Sequence, residues 1–175
     1  MGTLALDTTI LSHFAIADRL DTLTELLADH DCVTTKEVVD ELTRGFVNHP
    51  ALASALSLPW LRIIALNSVE VVRFASYKFE LGGNDTQNMG ESSTLAWAKV
   101  HDAAAIIDDR AATHIARREG IKCCGTLTII FTAVQRRRLS RSDASDLVED
   151  LRATGMRLPA DPIRWAYEEG LLPED

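Results

Sequence analysis

"AAIIDDRAATHIARREGIKCCGTL", Ala104 to Leu127, packs one full period of an alternating architecture into a short span. The apolar run from Ala104 to Ile107 reads as a strand and breaks off at two adjacent carboxylates, Asp108 and Asp109. RAATHIARREG then has helical spacing and a glycine stop at Gly120. IKCC is a second strand, and GTLTIIFTAVQRRRL, from Gly125, a second helix. Strands and helices in strict alternation point to a parallel sheet covered by helices. Two negative charges side by side where a strand leaves the core call for a reason.

The same alternation extends outward. TLALD, Thr3 to Asp7, reads as a strand, followed by helical spacing in TTILSHFAIADRL and DTLTELLADH. CVTT is a strand, and TKEVVDELTRGF a helix capped by Thr35 with Glu37 and Val38 in its first turn. Residues 48–58 show no clear pattern. LRIIAL reads as a strand, SVEVVRFASYKFEL as a helix, GGNDTQNMG as a loop, and ESSTLAWAKVHDA as a helix with Leu95, Ala96 and Trp97 inward. RSDASDLVEDLRATG is a further helix. The expected fold is α/β: three layers, α/β/α, around a central, mainly parallel sheet, in one domain.

Composition agrees. A chain of 175 residues, 46% hydrophobic, suits one well-filled domain. No apolar run approaches a membrane span and no leader pattern is seen, so no membrane role is expected. Three cysteines, with Cys123 and Cys124 adjacent, form neither a disulfide framework nor a metal-spacing pattern. They read as buried thiols in a protein of a reducing compartment, the cytoplasm. The net charge of −8 argues against a nucleic-acid partner until its distribution is considered. Between Arg110 and Arg141 eight Lys/Arg stand against one Glu, a local +7, leaving −15 elsewhere. That window is either a solvated helical face or a cationic rim.

Ligands of open α/β sheets sit outside the carboxyl ends of the strands. Asp7 ends the first strand, and Asp108 and Asp109 end a later one, so two distant segments deliver carboxylates to one edge. Singly, Asp7 or Asp109 would serve as a helix N-cap. Together, like charges need raised pKa values or a cation, and Mg²⁺ takes carboxylate oxygens and water. Glu37 and Glu41 share a helical face, and Glu91 opens a helix. Residue chemistry alone stops at an acidic α/β site.

Three blocks carry a resemblance. LALDTTILSHF, VTTKEVVDEL and GESSTLAWAKVHDAAAIIDDRAATHIARREGIKCCGTL, in that order, resemble the successive signatures of PIN domains, over residues 3 to 139. The resemblance implies a nuclease dependent on one or two Mg²⁺ or Mn²⁺ ions, often a VapC-like toxin that cuts RNA. It places catalytic carboxylates at Asp7, Glu41, Glu91 and Asp109. Asp7, Glu91 and Asp109 would hold metal with Asp108 as an auxiliary ligand, and Thr9 sits where the family often has a hydroxyl residue. The chain departs from the compact toxins in its long 48–89 stretch and its tail. The expected organisation is a PIN-like nuclease domain over 1–139 and a helical extension over 140–175 packed on it, as in longer members of the family.

The expected substrate is single-stranded RNA, with Thr9, Arg110, Arg117, Arg118, Arg136, Arg137 and Arg138 toward the nucleic acid. The alternatives are a DNA-directed nuclease, and a catalytically silent PIN-like module for nucleic-acid binding or regulation. A haloacid-dehalogenase-type phosphatase is disfavoured, because LDTTI lacks the second acid two residues on. Trp60 and Trp165 either stack bases or cover apolar surface. VapC-like proteins are typically held by a small antitoxin and dimerise, which makes both partners candidates. For a homodimer, GTLTIIFTAVQRRRL offers Leu127, Ile129, Ile130, Phe131 and Val134; the competing expectation is that the C-terminal extension covers them.

Overall fold

The structure, a computed structural model, describes residues 2–172; the ends of the expected 1–139 and 140–175 segments, residues 1 and 173–175, lie outside it. Five strands form one sheet, all parallel: β1 (Thr3–Leu6), β2 (Asp31–Thr35), β3 (Leu61–Ile64), β4 (Ala104–Ile106) and β5 (Cys123–Cys124). Their order is β3-β2-β1-β4-β5. The chain winds outward from β1 to β3, then returns to the other side of β1, which makes the gap between β1 and β4 the topological switch point. Crevices for ligands open at that place in such sheets.

Ten helices complete the described chain: α1 (Thr8–Ile16), α2 (Leu20–Leu27), α3 (Lys36–Gly45), α4 (Leu52–Ala55), α5 (Ser68–Leu81), α6 (Met89–His101), α7 (Arg110–Glu119), α8 (Thr126–Gln135), α9 (Arg141–Ala153) and α10 (Pro162–Glu168). The short α4 occupies the stretch with no clear sequence pattern. Strand alternation sorts the core into two layers. Leu4, Leu6, Cys32 and Ile106 join one cluster with α1, α2 and α8–α10; Ala5, Val33, Ala105 and Ile107 join the other, with α5–α7. The three-layer α/β/α architecture is as expected, with a sheet wholly rather than mainly parallel.

Burial bears on the α8 alternatives and corrects the reading of two cysteines. Leu127, Ile130 and Phe131 of α8 are buried, and Ala144, Leu147, Val148 and Leu151 of α9 share their cluster. The C-terminal extension therefore covers much of this face, while Ile129 and Val134 of α8 stay half-buried. Exposed apolar residues sit on α5, at Val69, Val71, Val72 and Phe79. Cys123 and Cys124 are half-buried rather than buried; only Cys32 is buried. Among the described residues no helix is long and apolar enough to cross a membrane.

Candidate functional site

Register brings the acids together. Leu6 pairs with Ile106, and the Asp7 amide donates to the Ile106 carbonyl at 3.3 Å. Asp7 thus leaves the sheet beside Ile107, with Asp108 and Asp109 next along the neighbouring strand. On the other side Ala5 pairs with Val33, so β2 ends at Thr35 level with Asp7 and launches α3. The Thr35 hydroxyl caps α3, accepting from the Val38 amide at 3.3 Å, and lies 2.7 Å from Ser93 Oγ of α6. Val38 and Leu42 turn into the core while Glu41 turns to the strand ends. Buried from Ser92 through Ala98, α6 runs through the middle of the molecule, and its first turn presents Glu91.

Asp7, Glu41 and Glu91 each offer an oxygen within 4.8 Å of the others. Asp7 is fully buried, and its Oδ1 has no hydrogen-bond partner. Its other oxygen caps α1, accepting from the Thr9 amide at a long 3.4 Å. A cap is worth about 0.5–2 kcal/mol, whereas burying a carboxylate charge costs several kcal/mol. Capping alone does not account for an aspartate here. Burial first, then the Glu91 charge, hold the Asp7 carboxyl well above its ordinary range. Burial likewise raises Glu91, helped by Glu41 and Asp109.

Two residues that the sequence signals had missed shape the cluster. Thr8, not the neighbouring Thr9, donates its hydroxyl to Glu41 Oε2 at 2.5 Å. Gly90 leaves the space: a Cβ there would lie 2.5 Å from Glu41 Oε2, 2.5 Å from Thr8 Oγ1 and 2.7 Å from Asp7 Oδ1. A helix-opening glycine before an acid was visible in the sequence, but its reason, the close approach of three oxygens, was not.

Asp109 caps α7, accepting from the Ala112 amide at 2.8 Å, and lines the same groove as Glu91. Asp108 lines the groove too, but its oxygens are engaged by α8. Its oxygens accept from the Thr126 amide at 2.9 Å and the Thr126 hydroxyl at 2.6 Å, against Gly125, where a Cβ would meet Oδ1 at 2.6 Å. Asp108 thus ties β4 to the start of α8; burial raises its pKa and the Thr126 bonds oppose the rise.

The groove has a volume of about 1090 Å³. Thr9, His13, Glu91, Asp108, Asp109 and Arg110 line it together with the start of α8 and, from the C-terminal part of the chain, Gly155–Pro159 and Trp165. Of the expected arginines, only Arg110 lines it. Arg117 and Arg118 lie at the far end of α7, where Arg118 pairs with Glu80 and Glu119. Arg136, Arg137 and Arg138 follow α8, about 15 Å from its groove end by helix rise, and Arg138 pairs with Asp29. Arg157, from the extension, lines the groove without having been expected to.

The donor set is all oxygen, with one orphaned buried carboxylate atom, which fits a hard divalent cation. No curated protein matches the sequence. Among solved structures, a chain from the crystal structure of VapBC2 from Rickettsia felis bound to a DNA fragment from their promoter superposes with a TM-score of 0.52. The identity is 18%, over 70% of this chain and 98% of that one, so the likeness concerns the fold. A family model described as a PIN domain matches residues 3–169, which span every strand and helix described. The chain belongs to the PIN-domain family, whose members are generally nucleases.

Proposed function

We propose that the protein is a Mg²⁺- or Mn²⁺-dependent nuclease that cuts single-stranded RNA. The observation that carries this is the fully buried Asp7, with an unpartnered oxygen, within 4.8 Å of Glu41 and Glu91. Asp7, Glu41 and Glu91 would hold the metal, with Asp109 at the groove side of Glu91. When bound, a divalent ion offsets the charge on phosphoryl oxygens and eases ionisation of water at neutral pH. The chain's own part is positional. Thr8 orients the Glu41 carboxylate, Gly90 keeps the cluster open, and Asp109 fixes the start of α7 beside it. Arg110, next along α7, lines the groove as a counter-charge for a phosphate in a chain of net −8.

Cleavage of a mixed panel of single-stranded RNA and DNA, with Mn²⁺ or with EDTA, tests the proposal. RNA cleavage that EDTA and Asp109→Asn both abolish is the expected result. Cleavage of DNA alone would make the enzyme DNA-directed, and no cleavage at all would leave a silent binding module.

A toxin role and a small antitoxin partner belong to the same proposal, since the Rickettsia felis protein of like fold is one part of a two-protein assembly. Growth that is unaffected by expression without a companion protein would count against them. A homodimer has two apolar surfaces to draw on, the α5 stripe of Val69, Val72 and Phe79 and the half-buried Ile129 and Val134 of α8, and light scattering reads it as a species of twice 19.3 kDa.

A further inference from the structure

Part of the groove lining, a wall of Gly155–Pro159 and Trp165, comes from the last quarter of the chain, and a hydrogen bond ties that segment to α1. His13, on the helix that Asp7 caps, lies with Nδ1 2.6 Å from Thr154 Oγ1. Gly155 follows with φ +89°, a turn that a side chain would strain. Met156 then plugs into the core, and Arg152 Nη2 donates back to the Pro159 carbonyl at 2.8 Å. Trp165 rests on Phe131, ring centroids 6.4 Å apart and tilted 48°. What this wall shows to the groove is an exposed guanidinium, Arg157, and the half-buried indole of Trp165.

The acidic cluster repels phosphate, so a strand held only there would be weakly bound. Arg110 and Arg157 give the groove lining two cationic points, and Trp165 gives it an aromatic ring. A charged track with a stacking platform is how proteins hold unpaired strands, because every base has a π-face. At about 1090 Å³ the groove is at the top of the range of ligand pockets, about 300–1,000 Å³, with room for more than one nucleotide.

We infer that the Gly155–Pro159 loop and Trp165 form a binding wall for the nucleotides that flank the reacting phosphate of a single strand. Trp165 stacks an unpaired base and Arg157 pairs with a backbone phosphate. The word "reacting" rests on the nuclease proposal; binding by the wall does not.

The test separates the two. Fluorescence anisotropy in EDTA, where no cleavage occurs, measures binding of a labelled ten-nucleotide RNA, the DNA of the same sequence, and the RNA duplex. Trp165→Ala weakens single-strand binding about fivefold or more, and Trp165→Phe restores most of it because a phenyl ring still stacks. Arg157→Ala, at an exposed position, weakens binding and lowers the log–log salt slope by about one unit. In Mn²⁺ both alanine variants lose kcat/KM on the decamer by a similar factor but not on a dinucleotide, which does not reach the wall. The ratio of RNA to DNA affinity identifies the sugar. Duplex bound as tightly as single strand overturns the stacking role. Arg157→Ala binding like wild type overturns the phosphate contact, and folded Trp165→Ala binding like wild type overturns the stacking; both together overturn the wall while leaving the nuclease proposal intact. Wall-dependent binding with no cleavage in Mn²⁺ upholds the wall and sinks the nuclease.

Discussion

Asp7 and Glu70 are both buried acids near the start of a helix, and the chain treats them in opposite ways. Glu70, only 1% exposed, has both oxygens engaged: Oε2 accepts from the Asn67 amide at 2.7 Å, and Oε1 accepts from Asn67 Nδ2 at 2.7 Å. His101 Nε2, its ring stacked on Trp97, lies a further 2.7 Å from Oε1. This carboxylate closes a capping box and clamps α6 to α5. Asp7 receives one long amide contact, keeps an oxygen unpartnered, and has two more carboxylates for neighbours. A satisfied buried charge serves the fold; an unsatisfied one surrounded by its own kind is relieved by taking up a proton or by a cation.

The largest expected effects fall on the second kind. Asp7→Asn and Gly90→Ala should each lower kcat by about a thousandfold, the equivalent of several kcal/mol of lost transition-state stabilisation. The first removes a ligand charge, and the second drives a methyl into three oxygens. The comparison sharpens through stability: in EDTA, Asp7→Asn should melt higher than wild type at neutral pH, because it removes an uncompensated buried charge. Glu70→Gln should leave cleavage within about twofold. If Asp7→Asn melts lower and still cuts, the distinction between the two acids fails.

Metal should stabilise only through the open cluster. At a concentration of Mn²⁺ one hundred times its Kd, binding adds about 2.7 kcal/mol, which for a domain of this size raises Tm by roughly 5–10 °C. Differential scanning fluorimetry should show that shift in wild type and in Glu70→Gln, and its loss in Asp7→Asn.

Glu70→Ala should cost about 1–3 kcal/mol in urea unfolding, since it strands the Asn67 amide and loosens α5 from α6. Mn²⁺ should stabilise this variant by the same amount as wild type, leaving the difference between the two unchanged.

The pH dependence follows from the sign of the shifts. Asp7 and Glu91 have folded pKa values raised above their ordinary 3.8 and 4.5, chiefly by burial. The folded chain therefore keeps protons that the unfolded chain has released. Their contribution to stability is full below about pH 4 and is lost as pH rises toward the folded values. Without metal, unfolding free energy should decline more in wild type than in Asp7→Asn as pH rises above the ordinary 3.8–4.5 range of these acids. The Mn²⁺ shift should grow over the same rise, because the ionised acids bind it.

Much of this was legible in the sequence, for definable reasons. Strand ends were marked by the change from apolar residues to acid at Asp7 and Asp108, and Thr35 was visible as the cap of α3. Parallel register then carried those acids to one edge. What escaped reading depends on rotation and reach, not on residue type. Thr8 and Thr9 differ by about 100° around α1, which decides whose hydroxyl meets Glu41. Gly90 matters through an absent Cβ, which no periodicity reports. The helix with Ile129 and Phe131 seemed over-apolar because α9 and α10, which cover much of it, had no strong motif of their own.

The arginines provide the smallest effect and a last contrast, between the two ends of α8. Sequence distance places Arg136–Arg138 close to the motif-bearing Gly125–Leu127, but ten helical residues carry them about 15 Å away. Arg138 there donates to Asp29 Oδ2 at 2.5 Å and to the Glu25 carbonyl at 2.9 Å, pinning α8 to α2. An ion pair of this exposure is worth about 0.2–1 kcal/mol. Arg138→Ala should therefore lower Tm by a few degrees at most and leave the affinity for single-stranded RNA within about twofold. Arg110→Ala, at the groove, should weaken that affinity several-fold and flatten its salt dependence. Equal losses from both would mean that bound strands extend well past the groove along α8, and that the cationic window acts as one surface after all.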